Sequence, residues 1–160
     1  MKNLVLFLTA WMILSSCQQS MESGGSHDHT LAKNDTAGAC CSVKDGLFLH
    51  VSSGYENPHK VLMALKMAKM MSEDKDVALY LDISAVELVL KSSKDMTYSD
   101  FPPLKELLKH LIDRKVTIMA CPTCLKVAGY QPEDLMDGVI VAQKDKFFNF
   151  TKGRIVTLDY

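Results

Sequence analysis

Charge of one sign is what this chain lacks first: 18 lysines and arginines stand against 19 aspartates and glutamates, a formal net charge of −1. No basic field exists to gather phosphates, which argues against nucleic acid as a partner. Long apolar runs are missing too, because residues 4–14, though apolar with Trp11 among them, are too few to span a bilayer as a permanent helix. Residues 18–45 hold almost no large apolar side chain; built from Ser, Gly, Asp, Asn, Thr and Ala, they cannot bury enough surface to fold alone. No internal repeat is visible, and no general acid-base pair suggests a hydrolase. Cysteines are few, five in all, and four of them carry the chemistry considered below.

The first 17 residues read as a leader. Lys2 supplies a positive start before the apolar run, and the following Leu14-Ser15-Ser16-Cys17 resembles the lipobox of bacterial lipoproteins. That resemblance implies cleavage before Cys17, lipidation of its thiol and amine, and a protein of the cell envelope anchored in a membrane. Gln18 is not the aspartate that retains some lipoproteins at the inner membrane, which points to the outer one.

Residues 18–45 then form a flexible tether, its reach on the order of 5 to 6 Å times the square root of its length. Two features interrupt it. His27 and His29 are either solvated or ligands for copper or zinc. Cys40 and Cys41 are adjacent, so they bridge one another only with strain and would pair elsewhere or bind a soft metal.

The centre of the sequence is residues 116–129, VTIMACPTCLKVAG. Val116 to Met119 form a short apolar run suited to a strand buried on both faces. Pro122 suits the first position of a helix, and Gly129 suits its left-handed end. Cys121 is thereby an N-cap whose sulfur faces unpaired amides, which favours the thiolate, the form that attacks sulfur or binds metal. Cys124 falls on the same helical face, close enough to form a disulfide with Cys121 or share a metal.

Residues 46–160 are enough for one domain with one core. Strands are expected at 47–51, 77–82, 116–120, 138–142 and 153–159. Helices are expected after Asn57 and Pro58, over 83–91, from Pro102 and Pro103, after Cys121, and over 144–150. Alternation with short joins predicts an α/β three-layer sandwich, a mostly parallel sheet of about five strands with helices on both faces. Ligands bind such sheets at the carboxyl ends of the strands. His50, Ser52, Ser53 and Gly54 follow the first strand, Asp82 ends the second, and Cys121 and Cys124 follow the third, so all are candidates for one pocket. A strand order of 2-1-3 would seat the loop of Ser52, Ser53 and Gly54 beside Cys121, its amides ready for an anionic sulfur species.

The segments LFLHVSSGYENPHKVLMALKMA, VALYLDISAVELVLK, VTIMACPTCLKVAGY and DLMDGVIVA together resemble the DsrE/DsrF-like family of sulfur-relay proteins. The resemblance implies a small parallel α/β domain of flavodoxin-like topology that assembles into trimers or hexamers. It also implies persulfide sulfur on a cysteine with a glycine eight positions later, which falls on Cys121 and Gly129. The chain departs from that pattern in its leader, in Cys124 and in the Cys40 and Cys41 pair. Three functions follow as expectations. The first is sulfane-sulfur or disulfide exchange at Cys121 and Cys124 with a sulfur or thiol donor protein. The second is a Cu(I) or Zn module using Cys121, Cys124, Cys40 and Cys41. The third is an oligomeric scaffold with structural disulfides.

Overall fold

A computed structural model of the chain describes residues 43–160. Cys17, His27, His29, Cys40 and Cys41 lie outside the described residues. Five strands, β1 (Gly46–Val51), β2 (Asp76–Leu81), β3 (Thr117–Ala120), β4 (Val139–Val141) and β5 (Ile155–Asp159), form one sheet in the order β4-β3-β2-β1-β5. All four pairings are parallel. Every expected strand is present, its ends shifted by the one or two residues over which strand ends fray.

Three α-helices join them: α1 (Pro58–Met71), α2 (Leu104–Asp113) and α3 (Pro122–Val127). The Asn57 side chain accepts from the Lys60 amide and so caps α1 as its residue type predicts. The helical segments expected near 83–91 and 144–150 are tighter 3₁₀ turns, Ile83–Val89 and Lys144–Phe147.

The strand order differs from 2-1-3: β2 lies between β1 and β3. From β1 to β4 each crossover steps one strand in the same direction, so right-handed connections stack α1 and α2 together on one face. The chain reverses only when β5 returns to the far side of β1. The switch point therefore falls between β1 and β5, and the carboxyl end of β2 separates the loop of Ser52 to Gly54 from Cys121.

Alternation along the strands assigns the two faces. Leu47, Leu49, Val51, Leu79, Leu81, Ile118 and Ala120 point to the helical face and join Val61, Leu62, Leu65, Leu107, Leu108 and Leu111 in the main core. Phe48, His50, Tyr80 and Met119 point the other way. That face is covered by the returning chain, where Phe147 and Phe150 pack on Phe48 and Phe147 meets Tyr80 edge-on at 5.0 Å. Burial of each large aliphatic side chain contributes roughly 1.5–3 kcal/mol. The helical face therefore holds the domain together, and the aromatic face is left to carry polar groups.

Candidate functional site

The cysteine turn is built by local bonds. At the end of β3 the Cys121 amide donates to the Leu81 carbonyl at 2.9 Å, which fixes the residue beside the end of β2. Pro122 opens α3, and the Cys121 sulfur accepts from the Cys124 amide at 3.3 Å, as an N-cap does. At the other end Gly129 adopts φ 83°, its amide donates to Lys126 and the Tyr130 amide to Leu125. These two bonds close the helix as a Schellman motif. The role expected for Gly129 is thus the one it has.

Both thiols are free, Cys121 buried and Cys124 half-buried. Their acidities diverge. Burial raises the Cys121 pKa, but contacts from the Cys124 thiol, the Tyr80 hydroxyl and the amides of Cys124 and Thr123 outweigh it, and the net shift is downward. Burial and the neighbouring Cys121 sulfur push Cys124 upward. The pair is thus asymmetric, with Cys121 the more readily ionised thiol.

Tyr80 is the group that sequence reasoning missed. It stands on β2 opposite Met119, facing away from the main core, and its phenol neighbours the Cys121 sulfur closely enough to act on it. Burial first, then that sulfur, drives the Tyr80 pKa strongly upward, so its proton stays on the phenol. The signal was present in Val77-Ala78-Leu79-Tyr80-Leu81: in a strand otherwise apolar on both faces, the one polar-tipped side chain needs a partner.

Behind Tyr80 lies His50, whose ring stacks on the phenol at 5.6 Å between centroids. His50 Nδ1 pairs with Asp159 Oδ1 at 2.7 Å, and Nε2 lies 2.9 Å from Asp82 Oδ2. The N–H at Nε2 is not directed at a carboxylate oxygen, so the second contact is an ion pair rather than an aligned hydrogen bond. Desolvation opposes the imidazolium, but the two carboxylates outweigh it and raise the His50 pKa. Asp82 Oδ1 is buried and has no hydrogen-bond partner.

The remaining pocket candidates serve the frame. The Ser52 amide and hydroxyl both donate to the Tyr160 carbonyl, at 2.9 and 3.2 Å, closing the seam between β1 and β5. The Gly54 amide donates to Glu56 Oε1 at 2.7 Å, so a carboxylate of the chain itself takes the place foreseen for an anion. Ser53 lies half-buried in the same loop. The structure thus brings together Cys121, Cys124, His50 and Asp82 and sets Ser52, Ser53 and Gly54 apart. A 370 Å³ cavity beside α3 is lined by Pro122, Leu125, Tyr130, Pro132 and Val141, and neither cysteine borders it. Among the described residues no three His, Cys, Asp or Glu side chains converge so as to hold a metal ion.

The fold has solved counterparts. The ychN protein from E. coli is 19% identical with a TM-score of 0.58, the match covering 71% of this chain and 99% of that one. MTH1491 from Methanobacterium thermoautotrophicum, a protein of unknown function, is 16% identical with a TM-score of 0.50, covering 71% and 98%. At such identities the likeness shows the fold alone. No curated protein matches the chain. Residues 46–153, which contain His50, Tyr80, Asp82, Cys121 and Cys124 and most of the sheet, match the DsrE/DsrF-like family, and the chain belongs to that family.

Proposed function

We propose that the protein handles sulfane sulfur, taking it onto Cys121 and discharging it with Cys124, in a sulfur-relay-related role. The observation that carries this is the asymmetry of the pair: adjacent thiols at one turn, with Cys121 pushed toward thiolate and Cys124 away from it. Family membership supports the same chemistry.

In the loading step the Cys121 thiolate attacks the outer sulfur of a persulfide R–S–SH. A new sulfur–sulfur bond forms, the old one breaks with its electron pair on R–S⁻, and Cys121 holds S–SH. In the discharge step the Cys124 thiolate attacks the inner sulfur at Cys121. The products are the disulfide of Cys121 with Cys124 and HS⁻, so no outside oxidant is needed. The wider setting belongs to the same proposal: a lipid on Cys17, an envelope location, a thiol or persulfide donor protein, and assembly into the trimers or hexamers implied by the family resemblance.

The test is intact mass after exposure to a low-mass persulfide. Wild type is expected to gain one reductant-labile sulfur that maps to Cys121, Cys124→Ser to retain it longer, and Cys121→Ser to take none while melting normally. A Cys121→Ser variant that loads as well as wild type sinks the reading. A metal adduct seen only under native conditions would replace it with the Cu(I) or Zn module.

A further inference from the structure

The cysteine pair is backed by a side-chain stack that its sequence motif does not include. Tyr80 shares a sheet face with Cys121 on the neighbouring strand, and its ring lies against His50 on one side and Phe147 on another. The sheet fixes this arrangement. Tyr80 pairs in register with Met119, and Cys121 is two positions beyond Met119, so alternation brings the sulfur to the same face one step toward the carboxyl edge. His50 pairs with Tyr80 from the other neighbouring strand. Its ring is held at both nitrogens, by Asp82 from the end of β2 and by Asp159 from β5.

We propose that Tyr80 is a catalytic residue of the sulfur site, donating its hydroxyl hydrogen to whichever anionic sulfur Cys121 presents, and that His50 is a positioning residue which acts through the Tyr80 ring. The proposal deepens the sulfur-handling reading and rests on it for its purpose, though not for its geometry. When Cys121 attacks R–S–SH its negative charge passes to R–S⁻, and once loaded, Cys121 carries S–SH or, after ionisation, S–S⁻. At each stage the phenol keeps its proton and only the acceptor changes. A hydrogen bond to an ionised sulfur is of the stronger, charge-assisted kind.

Why His50 acts through the ring follows from the contacts. Its two nitrogens are spent on Asp82 and Asp159, leaving the ring face as its direct contact with the site. The groups around it are those two carboxylates and the Tyr80 phenol, with the cysteines beyond. The Asp159 contact also ties the position of Tyr80 to the strand that closes the seam beside β1.

The experiment is the rate of iodoacetamide alkylation at Cys121 across pH, read by peptide mapping, on the full chain. Wild type, Tyr80→Phe, His50→Gln and the double variant are compared. Tyr80→Phe keeps the ring packing and loses only the hydroxyl, so melting should stay unchanged. Its alkylation at pH 7 should slow about tenfold, with the profile moved to higher pH. His50→Gln should slow alkylation less than Tyr80→Phe, and should add nothing in the Tyr80→Phe background. Identical profiles for wild type and Tyr80→Phe overturn the proposal, as does an undiminished His50→Gln effect in the double variant. If Tyr80→Phe unfolds, Tyr80→Leu and Tyr80→Met, which keep apolar bulk without a donor, must give the same shift for the proposal to stand. Sulfur uptake by wild type is read separately. No uptake together with a shifted Tyr80→Phe profile refutes the sulfur-handling function and leaves the assignment of the phenol intact.

Discussion

Ile83 is β-branched, 67% exposed and held at φ 47°, in the left-handed region such residues avoid. It follows Asp82 directly, and its backbone lies close enough to Cys124 to favour that thiolate, against the stronger effect of burial. Strain of this kind costs on the order of 1–3 kcal/mol and persists where surrounding structure enforces it, commonly beside a functional site. Here the Ala85 amide bond to Asp82, at 2.9 Å, and the buried side chains of Ala85, Val86, Leu88 and Val89 enforce it. Ile83→Gly removes the strain and gives up little apolar contact, but it loosens the unfolded chain by roughly 0.4–1 kcal/mol. The expected balance is a gain of up to about 2.5 kcal/mol, read as a higher urea midpoint at unchanged slope. A lower midpoint would show that the Ile83 side chain, exposed as it is, stabilises the turn. Residues differ in how far their sequence announces them. Cys121 was legible because Pro122 and Gly129 mark both ends of its helix. Ile83 was not, because nothing in its side chain favours the conformation its neighbours impose.

At the scale of elements, β5 is expected to depend on pH through His50. It is an edge strand, hydrogen-bonded only to β1, with Ile155 and Val156 exposed at 41% and 57%. Its end is held by backbone bonds, Tyr160 to His50 and Ser52 to Tyr160, and by the His50 pair with Asp159. The His50 pKa is raised in the folded chain, with desolvation opposing and Asp82 and Asp159 prevailing. A raised pKa means the folded state binds the proton more tightly. The contribution is therefore complete below the unfolded value near 6.5 and is lost as pH rises through the folded value. Amide exchange over residues 155–160, corrected for its intrinsic pH dependence, should accelerate across that interval, while α2 stays protected. His50→Gln should flatten the dependence. A β5 whose protection tracks α2 at every pH contradicts this. The sequence showed β5 as a strand but not as the clasp on His50, because the contact joins residues 109 positions apart. Local pattern fixes which elements form; which strand lies beside which depends on the direction of each crossover, and 2-1-3 was one of the orders that pattern allows.

The whole molecule sets a limit on what the two cysteine pairs can do together. The chain enters the fold at the amino edge of the sheet, where the Lys44 carbonyl accepts from the Thr151 hydroxyl at 2.8 Å and Asp45 holds Arg154. Cys121 lies at the opposite edge and two strands away, past the ends of β1 and β2. Six residue steps along β1 span about 20 Å and two strand spacings about 10 Å, so the separation from Gly46 is about 22 Å. From the fixed Lys44, an extended chain carries Cys40 no more than about 14 Å and Cys41 about 11 Å. Even with the roughly 6 Å that a disulfide adds between α-carbons, both fall short, before any detour over the surface. A disulfide between Cys121 and either residue of the other pair is therefore expected to join two copies of the chain. The full-length protein, oxidised mildly and run without reductant, is expected to show any peptide linking Cys40 or Cys41 to Cys121 or Cys124 only at dimer mass or above. Within the monomer band Cys121 should be linked to Cys124 alone. If such a peptide is found in the monomer band, the amino edge must release Lys44 and Asp45. A Thr151→Val variant, which cannot hold the Lys44 carbonyl, would then yield more of it.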